Sequence, residues 1–301
     1  MKPDDGALAV ARAISDATEV HFEPTAVDPV GGGCIHTALR LGGDTSEGAR
    51  SYFVKMNEAG HAAMFVAEAD GLGALRKAGA VRVPAVVTQG DDGERAWLVL
   101  EWLELAALTP ASGARLGTAL AALHAIPQQK FGWVRDNYIG ATPQVNGWSE
   151  DWIAFWRDRR LVAQLRLAAH NRLPSRMIDR GERLAADVEA FFRVHRPAAS
   201  LLHGDLWGGN ASALSDGTPV VFDPAVYVGD READLAMTEL FGGFPADFHA
   251  AYRSAAPLDD GYRVRRDLYN LYHVLNHANL FAGGYVAQAA ESIGRLLAEI
   301  G

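Results

Sequence analysis

The sequence predicts an α+β chain of two unequal lobes, a small N-terminal lobe over 1–104 and a larger, mainly helical C-terminal lobe over 105–301. Three observations carry this. Short apolar stretches of extended character alternate with glycine-rich turns through the first lobe, with a single helical pattern among them. From Ser112 onward, alanine- and leucine-rich stretches of helical period take over. Charge divides at the same point: 1–104 carries 9 basic and 16 acidic residues, whereas 105–301 carries 19 and 21.

The elements follow in order. A helix is expected over 7–20, then a strand near Val27–Val30 that runs into Gly31-Gly32-Gly33, a turn no helix tolerates. Cys34–Leu41 reads as the returning strand, Gly42–Gly48 as a hairpin tip and Tyr52–Met56 as a third strand. An amphipathic helix over Ala62–Lys77 is closed by Gly79, and Val81–Thr88 and Trp97–Leu103 complete a five-stranded antiparallel sheet. Beyond a connector near Glu101–Thr109, helices are expected at Arg115–Ala125, Trp152–Ala169, Met177–Val194, Pro245–Ser254 and Val264–Ala282. They are interrupted by short strands at Leu201–His203 and Val220–Phe222, which form a hairpin-like insert. Two lobes with a cleft between them result.

Composition excludes several classes of function. The 301 residues are 49% hydrophobic and 22% charged, enough for a sizeable core and unlike a disordered chain. A net charge of −9 disfavours a sequence-independent nucleic-acid binder. The one cysteine, Cys34, rules out an internal disulfide and a multi-cysteine metal site. With no long apolar run and a polar N-terminus, neither a membrane span nor a signal peptide is expected, and the expected address is cytoplasmic.

The chemistry concentrates in Leu201–Asn210 (LLHGDLWGGN), where Asp205 follows a short apolar strand and Asn210 comes five residues later. A second apolar strand ends in Asp223. Phosphoryl transfer from a nucleotide needs a carboxylate to orient the acceptor hydroxyl and take its proton, the role Asp205 fits. It also needs an amide oxygen and a carboxylate to hold Mg²⁺, which Asn210 and Asp223 fit. Turn capping by His203 and Asp205 is the simpler alternative. In the first lobe, Gly31, Gly32 and Gly33 let backbone N–H groups approach phosphates, or make an ordinary hairpin turn. Lys55 lies in an apolar strand, where a lysine is costly unless paired. Glu68 on the next helix is its candidate partner, unless it is a solvated helix acid.

Lobe order, Lys55, Glu68, the HGD…N motif and Asp223 together resemble the protein-kinase-like fold in its small-molecule, aminoglycoside-phosphotransferase-like branch. Asp223-Pro224-Ala225 departs from the DFG of protein kinases, so no phosphorylated activation loop is expected. Longer blocks narrow the resemblance to the fructosamine/ketosamine kinases: GGGCI at Gly31–Ile35, YFVKMN at Tyr52–Asn57, FGWVRDNYIG at Phe131–Gly140, HGDLWGGN at His203–Asn210, GDREADLAM at Gly229–Met237 and YHVLNHANLF at Tyr272–Phe281.

The resemblance implies ATP- and Mg²⁺-dependent phosphorylation of O-3 of a ketoamine such as fructosamine or ribulosamine, followed by elimination that frees the amine. The acceptor is then a small-molecule or protein-bound ketoamine. Glu101, Trp102 and Leu103 would form the hinge whose backbone pairs with adenine, although Trp102 could equally be a packing residue. Trp207 would stack on the sugar or else be a buried core tryptophan, and His273 and Asn276 would line the same site unless they are satisfied core groups. Asp230 is expected as a buried acceptor steadying the catalytic loop. Cys34 would be a redox site able to link a dimer of an otherwise monomeric chain, or else a small buried strand residue. Trp148, Trp152, Phe155 and Trp156 are expected in the core, and Arg157, Arg159 and Arg160 on a solvated helix face. Another small-molecule kinase of this fold (aminoglycoside, choline or homoserine type) and a non-catalytic nucleotide-binding module are the alternatives.

Overall fold

The computed structural model describes residues 4–31 and 35–301, so Gly32, Gly33 and Cys34 lie outside the described residues. The chain forms two compact units, Met1–Ala107 with Ser212–Asp223, and Leu108–Ala211 with Pro224–Gly301.

In the first unit, α1 (Asp5–Thr18) starts at Asp4, whose carboxylate accepts from Ala7 N–H at 2.9 Å; such a cap contributes about 1 kcal/mol. Strands β1 (Glu23–Pro29), β2 (Thr37–Thr45), β3 (Gly48–Glu58), β4 (Val86–Asp91) and β5 (Arg95–Glu101) form one sheet in the order β1-β2-β3-β5-β4, with every neighbour antiparallel. Helix α2 (Ala62–Ala78) follows β3 and ends at Gly79, which adopts φ +70°. The β2–β3 turn is tighter than the expected tip over Gly42–Gly48, because Thr45 already pairs with Gly48. Gly43 is needed for packing instead: a Cβ there would lie 2.3 Å from the Glu23 carbonyl oxygen.

Side chains alternate across β3. Val54 therefore joins Val10, Ile14, Phe22, Leu41 and Val99 in the core beneath α1, while Lys55 faces the opposite way.

The second unit contains α3 (Pro110–His124), the hairpin β6 (Asn137–Ile139) and β7 (Thr142–Gln144), α4 (Trp152–Trp156), α5 (Val162–His170) and α6 (Ser175–Ala186). Strand β8 (Ala199–Leu202) comes next, and then β9 (Ala211–Ala213) and β10 (Pro219–Val221), which belong to the first unit from Ser212 onward. The chain continues through β11 (Tyr227–Asp230), α7 (Glu232–Leu240), α8 (Ala246–Ala255), α9 (Tyr262–Phe281) and α10 (Gly284–Ile300). Among the described residues, no helix is long and apolar enough to cross a membrane.

Three expectations are corrected. The two short strands do not make one insert: β8 pairs with β11, and β10 pairs with β9. Val221 N–H bonds to the Arg82 carbonyl and Ala213 bridges Ala106, so Ser212–Asp223 belongs with the first unit. Arg160 is not solvated but fully buried, because one turn of π-helix at Arg157–Leu161 rolls it inward. Its guanidinium donates to Val145 O and Asn146 Oδ1 and lies 4.2 Å from the Tyr227 ring centroid. Of the four expected core aromatics, Trp152, Phe155 and Trp156 are buried, but Trp148 is 49% exposed.

Candidate active site

In the first unit, the Lys55 ammonium lies 2.7 Å from Glu68 Oε1 and 2.7 Å from Asp223 Oδ1. The sheet supplies Lys55, α2 supplies Glu68, and the chain leaving β10 supplies Asp223. Burial works against the lysine's charge, but the two carboxylates and their hydrogen bonds outweigh it, so the ammonium stays protonated well past its ordinary range. Burial, opposed by Lys55, pushes the Glu68 carboxyl up to about 7. The Lys55 charge and hydrogen bond act against that rise and favour the carboxylate, but burial is the larger effect. Asp223 adopts φ +56°, a conformation that aspartate tolerates better than most residues and that here occurs at a group bonded to Lys55.

His36 is a member of this cluster that sequence reasoning missed. Its ring packs on Phe65 at 4.8 Å, and its Nδ1 accepts from the Asn57 side-chain amide at 2.9 Å. Burial and then the Lys55 charge lower it to about 4, so it is neutral at physiological pH. Its place directly before β2, close in sequence to Gly31-Gly32-Gly33, was the available signal. Gly31 is exposed, with open space where a Cβ would stand.

Glu101 accepts from Ala85 N–H and pairs with Arg82, and the Trp102 indole donates to Glu104 at 2.6 Å. The Arg40 guanidinium lies 4.9 Å from the Trp102 ring centroid. Leu103 is half-buried beside them.

In the second unit, the loop after β8 carries His203, Asp205, Trp207 and Asn210. Gly204 has φ +81°, and a Cβ on it would lie 2.0 Å from the Ala225 carbonyl oxygen, so only glycine fits between His203 and Asp205. The loop is tied internally: Asp205 N–H donates to His203 Nδ1, and Asn210 Nδ2 donates to the Asp205 carbonyl at 2.9 Å. With its nitrogen turned to Asp205, the Asn210 amide presents its oxygen elsewhere.

The carboxylate that holds this loop is Asp234, not Asp230. Asp234 is buried in α7 and accepts from the backbone N–H groups of His203 (2.7 Å) and Gly204 (2.8 Å), with His124 Nε2 at 3.2 Å. Asp230 is buried as expected, but its partners are the Tyr269 hydroxyl (2.7 Å), His195 Nε2 (2.8 Å) and Glu232 N–H (3.1 Å). Asp230 closes β11 whereas Asp234 lies in the first turn of α7, so the two acids of one motif belong to different elements and meet different partners.

The Asp230 cluster yields a prediction. His195 has Asp230 on one ring nitrogen and Asp259 on the other (3.1 Å), an arrangement only the imidazolium satisfies with two donors. Burial opposes that charge, but the hydrogen bond and charge of Asp230 raise His195 above its ordinary 6.5. The stabilisation is therefore complete below pH 6.5 and fades as pH rises through the raised value. In urea unfolding, His195→Gln is expected to cost about 1.5–3 kcal/mol at pH 6, with the gap to the unsubstituted protein narrowing toward pH 9. A gap that widens with pH contradicts the assignment.

Of the expected sugar-site residues, Trp207 is 39% exposed, and its ring occupies the space a Cβ on Gly209 would need. Asn276 does not line a site: it is 3% exposed, accepts from Gln164 at 3.2 Å and donates to Ile139 O at 3.3 Å. His273 is likewise buried at 6% exposure and lowered by desolvation to about 3, a neutral core histidine.

The fructosamine kinase family model matches residues 7–299. A probable ketoamine kinase of Synechocystis sp. is 44% identical, the alignment covering 96% of each chain. The chloroplastic protein-ribulosamine 3-kinase of Oryza sativa subsp. indica is 39% identical over 89% of this chain and 78% of its own. A crystal structure from Haemophilus somnus 129PT, provisionally named a fructosamine-3-kinase, superposes with TM-score 0.87 at 29% identity, covering 96% of each chain. A lysine held between two carboxylates, a glycine-hinged HGD loop and a match across nearly the whole length lead to one assignment: the chain is a phosphotransferase with a protein-kinase-like fold and belongs to the fructosamine kinase family.

Proposed function

We propose that the protein transfers the γ-phosphoryl group of ATP to O-3 of a ketoamine, a fructosamine or ribulosamine. The observation that carries this reading is Lys55, held at 2.7 Å by both Glu68 and Asp223, in a chain 39% identical to a protein-ribulosamine 3-kinase. Lys55 would receive the nucleotide phosphates, helped by the backbone of Gly31, Gly32 and Gly33, and the backbone at Glu101–Leu103 would pair with adenine. Asp205 orients the O-3 hydroxyl and accepts its proton. The new bond joins O-3 to phosphorus, the bond to the bridging oxygen breaks, and ADP leaves.

Asn210 and Asp223 suit Mg²⁺ by donor chemistry, since an amide oxygen and a carboxylate are the hard ligands that ion takes. When bound, Mg²⁺ neutralises charge on the phosphates. The 3-phosphorylated ketoamine then loses phosphate by elimination, which frees the amine.

Mass spectrometry of fructosyl- and ribulosyl-lysine after incubation with MgATP tests the reading. A gain of one phosphate, placed on O-3 by NMR, is the expected result. Phosphorylation of an aminoglycoside or choline but of neither ketoamine would overturn it.

A further inference from the structure

Five aromatic side chains of the second unit form a continuous row that starts on the Asp205 loop. Trp207 meets Phe241 edge-on at 6.3 Å, Phe241 meets His277 at 5.1 Å, and His277 meets Phe281 at 5.7 Å and Tyr285 at 5.0 Å. The row is not core: Trp207, Phe241 and Phe281 are 39%, 40% and 55% exposed. It is also held in place. Gly208 packs against the turn after α7, where a Cβ on it would lie 2.7 Å from the Gly242 carbonyl oxygen. The Trp207 ring lies over Gly209, and His277 Nδ1 donates to the His273 carbonyl at 2.8 Å. The loop bearing Asp205, the α7–α8 turn and the α9–α10 turn thus present one apolar strip.

A ketoamine has a shape that suits such a strip. Its nitrogen lies four bonds from O-3, about 5 Å away at ordinary bond lengths. This nitrogen is a secondary ammonium, and the alkyl arm of the amine continues beyond it. Ring faces attract an ammonium through their quadrupole and bury methylenes by apolar contact. With O-3 at Asp205, the sugar would reach Trp207 and the arm would continue along the row.

We propose that Phe241, His277, Phe281 and Tyr285 form an arm subsite that takes the alkylammonium side of the ketoamine and selects long aliphatic amines, such as a lysyl side chain, over short polar ones. The proposal rests on the ketoamine-kinase reading and names the part of the acceptor that reading leaves open.

The test compares kcat/KM for ribulosyl-lysine, carrying the sugar on Nε, with that for ribulosyl-ethanolamine. The lysine adduct is expected to be favoured about tenfold, mainly through KM, and Phe241→Ser/Phe281→Ser to bring the ratio close to one. A ratio that the double substitution does not move overturns the subsite. A sugar-free probe separates this from failure of the kinase reading: n-hexylammonium should perturb tryptophan fluorescence, with half-saturation about tenfold higher in Phe281→Ser. Binding of n-hexylammonium with no turnover of either ketoamine supports the subsite while sinking the ketoamine reading. No fluorescence response, or a dimer in solution that Phe281→Ser dissolves, overturns the subsite, the latter because the strip would then bind a second copy of the chain.

Discussion

Asp205→Asn is expected to lower kcat by about 10²–10⁴-fold, the contribution typical of a positioned general base, with ATP affinity essentially unchanged. An amide of the same shape still receives the Asn210 side chain and leaves the loop's backbone bonds in place. It cannot take the hydroxyl proton as phosphorus accepts the oxygen. Lys55, Glu68 and Asp223 belong to the other unit and their ion pairs are untouched, so the group proposed to receive the phosphates is preserved. Coupled ADP release gives kcat, and calorimetry gives the ATP Kd. Retention of more than a few per cent of turnover would mean that Asp205 does not accept the proton. A parallel collapse of ATP affinity would make it a structural residue of the loop.

What could be read from the residues alone follows their chemistry. Lys55 announced a partner because an apolar strand cannot hold an unpaired ammonium, and Glu68 was the acid on the next helix. The five strands were legible because each is bounded by glycine or a polar turn, and the sheet has the expected number and sense. Three features were not legible, each for a tertiary reason. The pairing of β8 with β11 joins four-residue strands separated by 24 residues of other structure, too short for periodicity to reveal. Helix α10 begins just after Gly283, where glycine reads as a stop and in fact only turns the chain, at φ +59°. Arg160 sits among neighbouring arginines as a solvated side chain would, and only the π turn reverses its direction.

Asp230 and Asp234 show the limit most clearly. Both are acids of one motif and both are buried, yet one closes β11 and the other lies in α7, and only tertiary packing decides which of them meets the HGD loop. Replacing Asp234 by asparagine is therefore expected to be the most damaging change outside the reacting groups. Asp234 Oδ2 receives His203 N–H and faces His124 Nε2, while Oδ1 receives Gly204 N–H. An amide can offer an acceptor to one side only, and its NH₂ would point at a backbone donor. Removing one partner from a buried charged network costs about 3–5 kcal/mol, here at 1% exposure.

Burial raises the Asp234 carboxyl, but the His124 hydrogen bond and the neighbouring histidines overcome it, leaving the group below its ordinary 3.8. The stabilisation is thus present at all pH values above the unfolded value and is lost only as pH falls through the depressed one. The gap to the unsubstituted protein in urea unfolding should accordingly be flat from pH 6 to 8 and close only in acid. Because the bonds it breaks hold His203 and Gly204, the two residues directly before Asp205, kcat should fall even at a temperature where the variant remains folded. Asp230→Asn instead loosens Tyr269 and His195, and is expected to reduce stability with a smaller effect on kcat. Equal losses of kcat in the two variants would show that the loop is not held by Asp234 in particular, but by the packing of α7 as a whole.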